Sequence, residues 1–429
     1  MPARSERRHH GAMRQLAPLA NPAIARLWSA LALTAVGEEL VRVALTWIAV
    51  DLIGTDAPYL WAVQASAMLV GAAFGGRFLD RRDPRLTMIW ANVLRAAAVL
   101  VPVALWAAGA LGIWALVVPA ALLSLLRSQF EPAMLAALPR LAADPGMLFA
   151  TNGLVDMVNR VARLVGPGLA GPLASLVAIP HFFTIHAAIL LVAAALIASL
   201  ARALPRLPAA AAGGAVGLRA GWQALRADPP LALVLAAAVV SNTGWVVGIP
   251  LGLALLIDQR QPSWLGIEGV GAYGFLLTCY SVSNITANFI SSSLPPPLSL
   301  DRLYAGNSVL GFGVALMGGV ALLAPEPLLL PLLVPAMMVA SSGSPFHDLP
   351  LLYLIQRSGP SYLIASMFRY RLIATWLGIL LGSLAAPPIF RWLEPAGTIL
   401  AMGVFMLAGA LLAWAATRAG LVRKPPPQG

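Results

Sequence analysis

The sequence predicts an all-α membrane protein whose twelve transmembrane helices form two six-helix bundles. Three observations carry that expectation: composition, the spacing of apolar runs and the placement of basic residues. Of 429 residues, 59% are hydrophobic and only 10% charged, and mean hydropathy is +0.82. A soluble domain needs roughly a quarter of its residues charged to keep its surface wet. This chain cannot cover itself with water. A bilayer span takes about 20 mostly apolar residues, so the chain has room for roughly ten to fourteen spans.

Apolar runs fall at 27–53, 59–79, 86–109, 112–137, 148–178, 182–203, 230–257, 269–293, 303–324, 327–346, 361–389 and 396–417. These give a tail over 1–26, a first bundle over 27–203, a linker over 204–229, a second bundle over 230–417 and a closing tail over 418–429. With both termini cytoplasmic, nineteen Lys and Arg side chains lie on the inner side, against Arg260 and Arg391 outside. That bias orients an even number of spans. The basic, polar stretch Met1 to Arg14 reads as a retained cytoplasmic tail, because the apolar run behind it is too long for a signal peptide.

The net charge of +11 would suggest nucleic acid in a soluble protein. Here the arginines lie between apolar runs and no basic stretch is interleaved with stacking aromatics, so no nucleic-acid partner is expected. Cys279 is the only cysteine, which excludes an intrachain disulfide and a Cys-rich metal or redox site. His181, His186 and His347 could join a proton relay, with simple hydration at a span end as the bland alternative, but they show no metal-ligand spacing, and no P-loop is present, so no metal or cofactor is expected and ATP cannot drive the protein directly. A polytopic enzyme would need catalytic acids or metal ligands clustered at one membrane face, and the sequence offers no such cluster.

Within the linker, Leu218, Trp222 and Leu225 share one helical face and Arg219 and Arg226 another. That suits a short helix on the inner membrane surface; an ordinary linker with a chance pattern explains it equally well. The two halves echo each other. Leu148-Phe149-Ala150-Thr151 matches Leu363-Ile364-Ala365-Ser366, and the same offset pairs Pro172 with Pro387. Duplicated six-helix halves are typical of transporters with a substrate site near the midplane.

Ionisable groups inside spans are expensive and therefore candidate sites. Span one has Glu38, Glu39 and Arg42, with Glu38 and Arg42 four apart on one face. Span four repeats that spacing in Arg127 and Glu131, and span five aligns Asp156, Arg160 and Arg163 along one stripe. Neighbours at this spacing can neutralise each other, so structural ion pairs are one reading of Arg127 with Glu131 and of Asp156 with Arg160. Span one has two carboxylates and one guanidinium, leaving one carboxylate without a local partner. Burial favours its neutral form, which makes Glu38 or Glu39 the expected carrier of a coupling proton, supported by Asp156. Arg95, Arg369, Arg371 and Asp348 are further charges within or beside spans. Trp245, Tyr273, Tyr280 and Trp376 are candidate contacts for an amphipathic substrate, with core packing as their bland alternative. Trp28, Trp61, Trp264, Trp392 and Trp414 sit near span ends as expected interface anchors.

Between spans two and three, Gly76-Arg77-Phe78-Leu79-Asp80-Arg81-Arg82-Asp83-Pro84-Arg85 resembles motif A of the major facilitator superfamily. The resemblance implies that Gly76, Asp80, Arg81 and Arg85 latch the inner helix ends in the outward-facing state. Pro295-Pro296-Pro297 stands where a second copy would sit, so that latch looks lost. In span five, Gly166-Pro167-Gly168 with Gly171 looks like the superfamily's antiporter motif, which marks exporters more than importers. Asn21-Pro22, Arg26-Leu27-Trp28, Gly37-Glu38, Phe130-Glu131-Pro132-Ala133 and Gln356-Arg357 resemble the drug:proton antiporter-3 branch, which includes macrolide-efflux and enterobactin-exporter-like proteins.

The implied protein is a monomeric secondary transporter with the major facilitator fold, in the inner membrane of a bacterial-type cell. It would export an amphipathic drug, macrolide or siderophore in exchange for protons. A siderophore importer or a lysophospholipid flippase of the same superfamily is the alternative.

Overall fold

The structure is a computed structural model that describes residues 17–79, 83–142, 145–204, 218–294, 299–356 and 361–422. The chain is helical throughout its spans. The first six are α1 (Pro22–Ile53), α2 (Pro58–Leu79), α3 (Pro84–Ala107), α4 (Trp114–Leu141), α5 (Pro145–Ala174) and α6 (His181–Ala198). The linker carries α7 (Leu218–Ala227). Span seven is α8 (Pro229–Val246), a π-turn over Val247–Leu251 and α9 (Gly252–Arg260). Then come α10 (Gly269–Ser293), α11 (Asp301–Leu323), α12 (Glu326–Gln356) and α13 (Ser361–Arg418).

At 58 residues, α13 would run roughly 87 Å if straight, nearly three hydrocarbon thicknesses. It is two spans. Glu394 breaks it at φ 56°, ψ 170°, ahead of Pro395, which disfavours helical geometry in the residue before it. This break separates the apolar runs 361–389 and 396–417 and completes the twelve spans.

Three helices start on the same local device. Asn21, Asp83 and Asp228 each precede a proline, whose missing N–H would be unpaired at that position anyway. Asp83 accepts from the Arg85 and Leu86 amides at 2.9 and 3.1 Å, Asn21 from Ala23 at 3.0 Å, and Asp228 from Leu231 at 3.3 Å. Prolines inside spans are handled differently. Pro345 removes the donor that the Ser341 carbonyl would use, and Asn284 of α10 supplies one instead at 3.3 Å.

The chain divides into two compact units, residues 1–45 with 70–213, and 46–69 with 214–429. The first is centred on Ile24, Leu27, Met88, Phe130, Leu138 and Ile197, all nearly or wholly buried. In the second, Leu231, Val234, Leu303, Tyr304, Leu351 and Ile355 form the corresponding core. Residues 46–69, the end of α1 and most of α2, belong to the second unit. There Asp56 pairs with Arg391, the Trp47 and Tyr273 rings lie 6.3 Å apart, and Trp61 donates to Thr46 at 3.1 Å. Trp61 is thus buried rather than anchored at an interface. Large apolar side chains face outward, with Trp90 61%, Phe289 72% and Leu412 71% exposed. In water such residues mark an interaction surface, whereas hydrocarbon is the solvent they suit.

The linker pattern does form a helix. Leu225 is buried in the second core, while half-exposed Trp222 lies tilted 6.3 Å from the Tyr370 ring and carries the Arg226 guanidinium over its own ring at 5.1 Å. The triple proline of 295–297 lies outside the described residues. Just beyond it, Asp301 grips Trp414 at 2.5 Å and Arg418 at 3.2 Å, tying the start of α11 to the end of α13.

The Asx-Pro starts give a direct test. Asp83→Ala should destabilise the protein by about 1 kcal/mol and Asp83→Asn by much less, because asparagine caps equally well. Thermal unfolding in detergent distinguishes the two variants.

Candidate functional site

Charge inside the first unit gathers around one turn of α1. Glu38 accepts from Arg95 of α3 through one carboxylate oxygen, a short contact, and from Arg127 of α4 at 2.9 Å through the other. The Arg95 side chain is 2% exposed and that of Glu38 18%. Arg95 also reaches the Asn92 side-chain oxygen at 3.4 Å, and Arg127 holds Glu131 at 3.3 Å. One residue along, Glu39 takes Arg42 at 2.7 Å. Three guanidiniums therefore face three carboxylates, and no charge in the group stands alone.

This corrects the pairing expected from spacing. Arg42 turns to Glu39, three residues back, and Glu38 faces two other helices, so neither span-one carboxylate lacks a partner. The expected Arg127 to Glu131 pair is present, but it is half of a larger bridge. Spacing along one helix cannot show a partner on another. One signal was available: Arg95 is a lone charge in its span, and a lone intramembrane guanidinium needs a carboxylate from elsewhere.

Small residues bring helices to this turn. A Cβ on Gly166 of α5 would collide with that of Glu39 and stand 3.1 Å from the Val36 carbonyl. The Gly-Pro segment thus meets α1 at the turn that carries the carboxylates. Pro167 is buried beside it and Gly171 half-buried. On the same helix Arg160 is half-buried and Arg163 exposed; the side chain of Asp156 lies outside the described residues. Gly76 falls in the last turns of α2, and Asp80 and Arg81 lie outside the described residues. Arg85 is buried and donates to the carbonyl of Ala198 at 3.4 Å, fastening the start of α3 to the end of α6.

The substrate candidates lie in the second unit. Trp245 donates to the Tyr280 hydroxyl at 3.3 Å, which also hydrogen-bonds the Ser344 hydroxyl at 3.3 Å, and both rings are half-buried. Tyr273 is buried and donates to the Pro250 carbonyl at 3.0 Å, within the π-turn, a contact that serves the fold. Trp376 is half-buried on α13.

A family model described as Major Facilitator Superfamily matches residues 27–370. The chain belongs to the major facilitator superfamily. Among curated proteins, none matches the sequence of this facilitator. Solved structures share its fold. A POT family transporter in complex with a thioalcohol-conjugated peptide is 11% identical with a TM-score of 0.75, over 92% of this chain and 96% of its own. A POT family transporter holding 5-aminolevulinic acid is 11% identical at 0.74, over 93% and 96%. The POT family transporter PepTSo is 12% identical at 0.76, over 93% and 98%.

Removing one side of a buried ion pair leaves the other charge uncompensated, at about 3–5 kcal/mol. Glu38→Leu in this facilitator should therefore unfold at markedly lower temperature in detergent, while Glu38→Leu combined with Arg95→Met should recover most of the loss. Scanning fluorimetry of the two variants measures it.

Proposed function

We propose that this transporter exports an amphipathic small molecule, a drug, macrolide or siderophore, in exchange for protons. It would act as a monomer in a bacterial-type inner membrane with both termini cytoplasmic, using the proton gradient and no cofactor. The observation that carries the reading is Glu38 between Arg95 and Arg127. A proton added to Glu38 cancels its attraction for both guanidiniums at once. The contacts joining α1 to α3 and α4 then change, and a proton that binds one arrangement better shifts the balance between them. That is the requirement for coupling protonation to alternating access. Glu39, tied to Arg42 one residue away, and Asp156 support the same role.

Export is supported by the Gly166-Pro167-Gly171 segment and by its packing against α1 at Glu39. The pieces resembling the drug:proton antiporter-3 branch point the same way. Trp245, Tyr280 and Ser344 offer aromatic faces and hydroxyl groups suited to an amphipathic solute. Proton-driven uptake of a peptide-like solute is the second reading, raised by the peptide conjugate and the aminolevulinic acid held by the POT neighbours.

A strain deleted for the gene, screened against antibiotics and metal-chelating metabolites, should accumulate at least one of them. Restoring the gene should reverse this, and the Glu38→Gln, Glu39→Gln double variant should not. Transport by that variant at wild-type rate with intact pH dependence overturns the coupling role. Lower accumulation on deletion makes the protein an importer.

A further inference from the structure

His186 of α6 is a buried ionisable group that none of the ion pairs uses. It is wholly buried, and neither ring nitrogen meets a hydrogen-bond partner among the described residues. Burying a polar ring unpaired is costly, and a leucine would fill similar space without that penalty. The ring presses on α1 at the residue before Glu38: a Cβ on Gly37 would collide with His186 Nδ1 and stand 3.2 Å from its Cε1. The charged groups acting on it are Glu38 from α1 and Arg95 from α3, with Arg127 of α4 beyond Glu38.

The chemistry of the clamp leaves a gap that this ring fits. A charged Glu38 only accepts hydrogen bonds, and Arg95 and Arg127 only donate them. Once protonated, Glu38 carries an O–H donor, for which neither guanidinium has an acceptor. The Asn92 oxygen already takes Arg95, and Glu131 already takes Arg127. A neutral imidazole has one bare nitrogen that accepts.

We propose that His186 accepts the hydrogen bond of protonated Glu38 and so sets the pH at which this carboxyl loads its proton. The proton stays on the carboxyl oxygen, and the ring acts as a positioning residue. The inference rests on Glu38 being the coupling group. Gly37 belongs to the same device, because only glycine lets the ring sit this close to the α1 backbone.

Infrared difference spectroscopy on the full-length protein in lipid vesicles, with protons as the only titrant, tests this. Loss of the titrating carboxyl band in Glu38→Gln assigns it. In His186→Leu the loading midpoint should fall by about one pH unit, a tenfold higher proton concentration, because the protonated form has lost its acceptor. His186→Gln retains a carbonyl acceptor and should keep the midpoint near wild type. Gly37→Ala displaces the ring without changing it and should lower the midpoint like His186→Leu, which covers a leucine variant that fails to fold. An unchanged midpoint in both His186→Leu and Gly37→Ala overturns the role of His186 and leaves that of Glu38 standing. A raised midpoint also overturns it, since the ring would then be supporting the carboxylate. A titrating band that survives Glu38→Gln overturns the coupling group itself.

Discussion

An ion cannot be left alone in hydrocarbon, and the first unit is organised around meeting that constraint at Glu38. Desolvating a carboxylate and a guanidinium is only offset when geometry is good and the remaining donors are satisfied. Arg95 is almost wholly enclosed, so its only acceptable setting is against a carboxylate, and α1 supplies it. Arg127 closes the other oxygen and passes the remainder of its charge to Glu131. Three helices are thereby held at one point by a group whose charge a single proton removes.

Such a point requires helices that approach closely, and in lipid no hydrophobic force draws them together. Small residues do that work. Gly166 admits α5 to the Glu39 turn, and on the other bundle a Cβ on Gly378 would stand 2.5 Å from the Val239 carbonyl. Close packing also lets side chains of one helix serve the backbone of the next. Thr243 reaches the Gly378 carbonyl at 3.0 Å, as Asn284 reaches the carbonyl that Pro345 leaves free. Packing and polar satisfaction are one problem here, because every unpaired backbone group would face lipid.

Most of the fold was legible in the sequence, because bilayer thickness sets the length of an apolar run. The limits of that signal are instructive. α12 runs to Gln356, ten residues past its apolar run, since His347 and Asp348 interrupt hydropathy without ending the helix. Asp348 meets Arg371 at 3.1 Å, so its charge is tolerable there. The candidate residues were legible by type, because charge in a span is rare. Their partners were not: Glu38 finds Arg95, 57 positions away, by a contact that no spacing along one helix encodes. His186 looked like any other histidine near the start of a span, and its meaning lies in the glycine it touches.

The two units also differ in how they use charge. In the second unit, each ion pair among the described residues joins side chains at least 30% exposed. Among the described residues its interior hydrogen-bond chains join neutral groups: Trp245, Tyr280 and Ser344 in one, Ser241 with Asn307 in another. In the first unit the inner charges Glu38, Glu39 and Arg95 are enclosed instead, and their partners Arg42, Arg127 and Glu131 reach outward from them. A neutral, half-buried lining can rearrange its hydrogen bonds around solutes of varied shape, since no single loss strands a charge. An enclosed pair such as Glu38 with Arg95 cannot adapt by degrees, because losing either partner strands the other charge. It is satisfied or it is broken, and in the proposed coupling role a proton on Glu38 would decide which. Under the proposed function, separating the two tasks would leave a solute-facing lining tolerant while the charged clamp stays sharp, the combination that proton-driven export of varied amphipathic molecules requires.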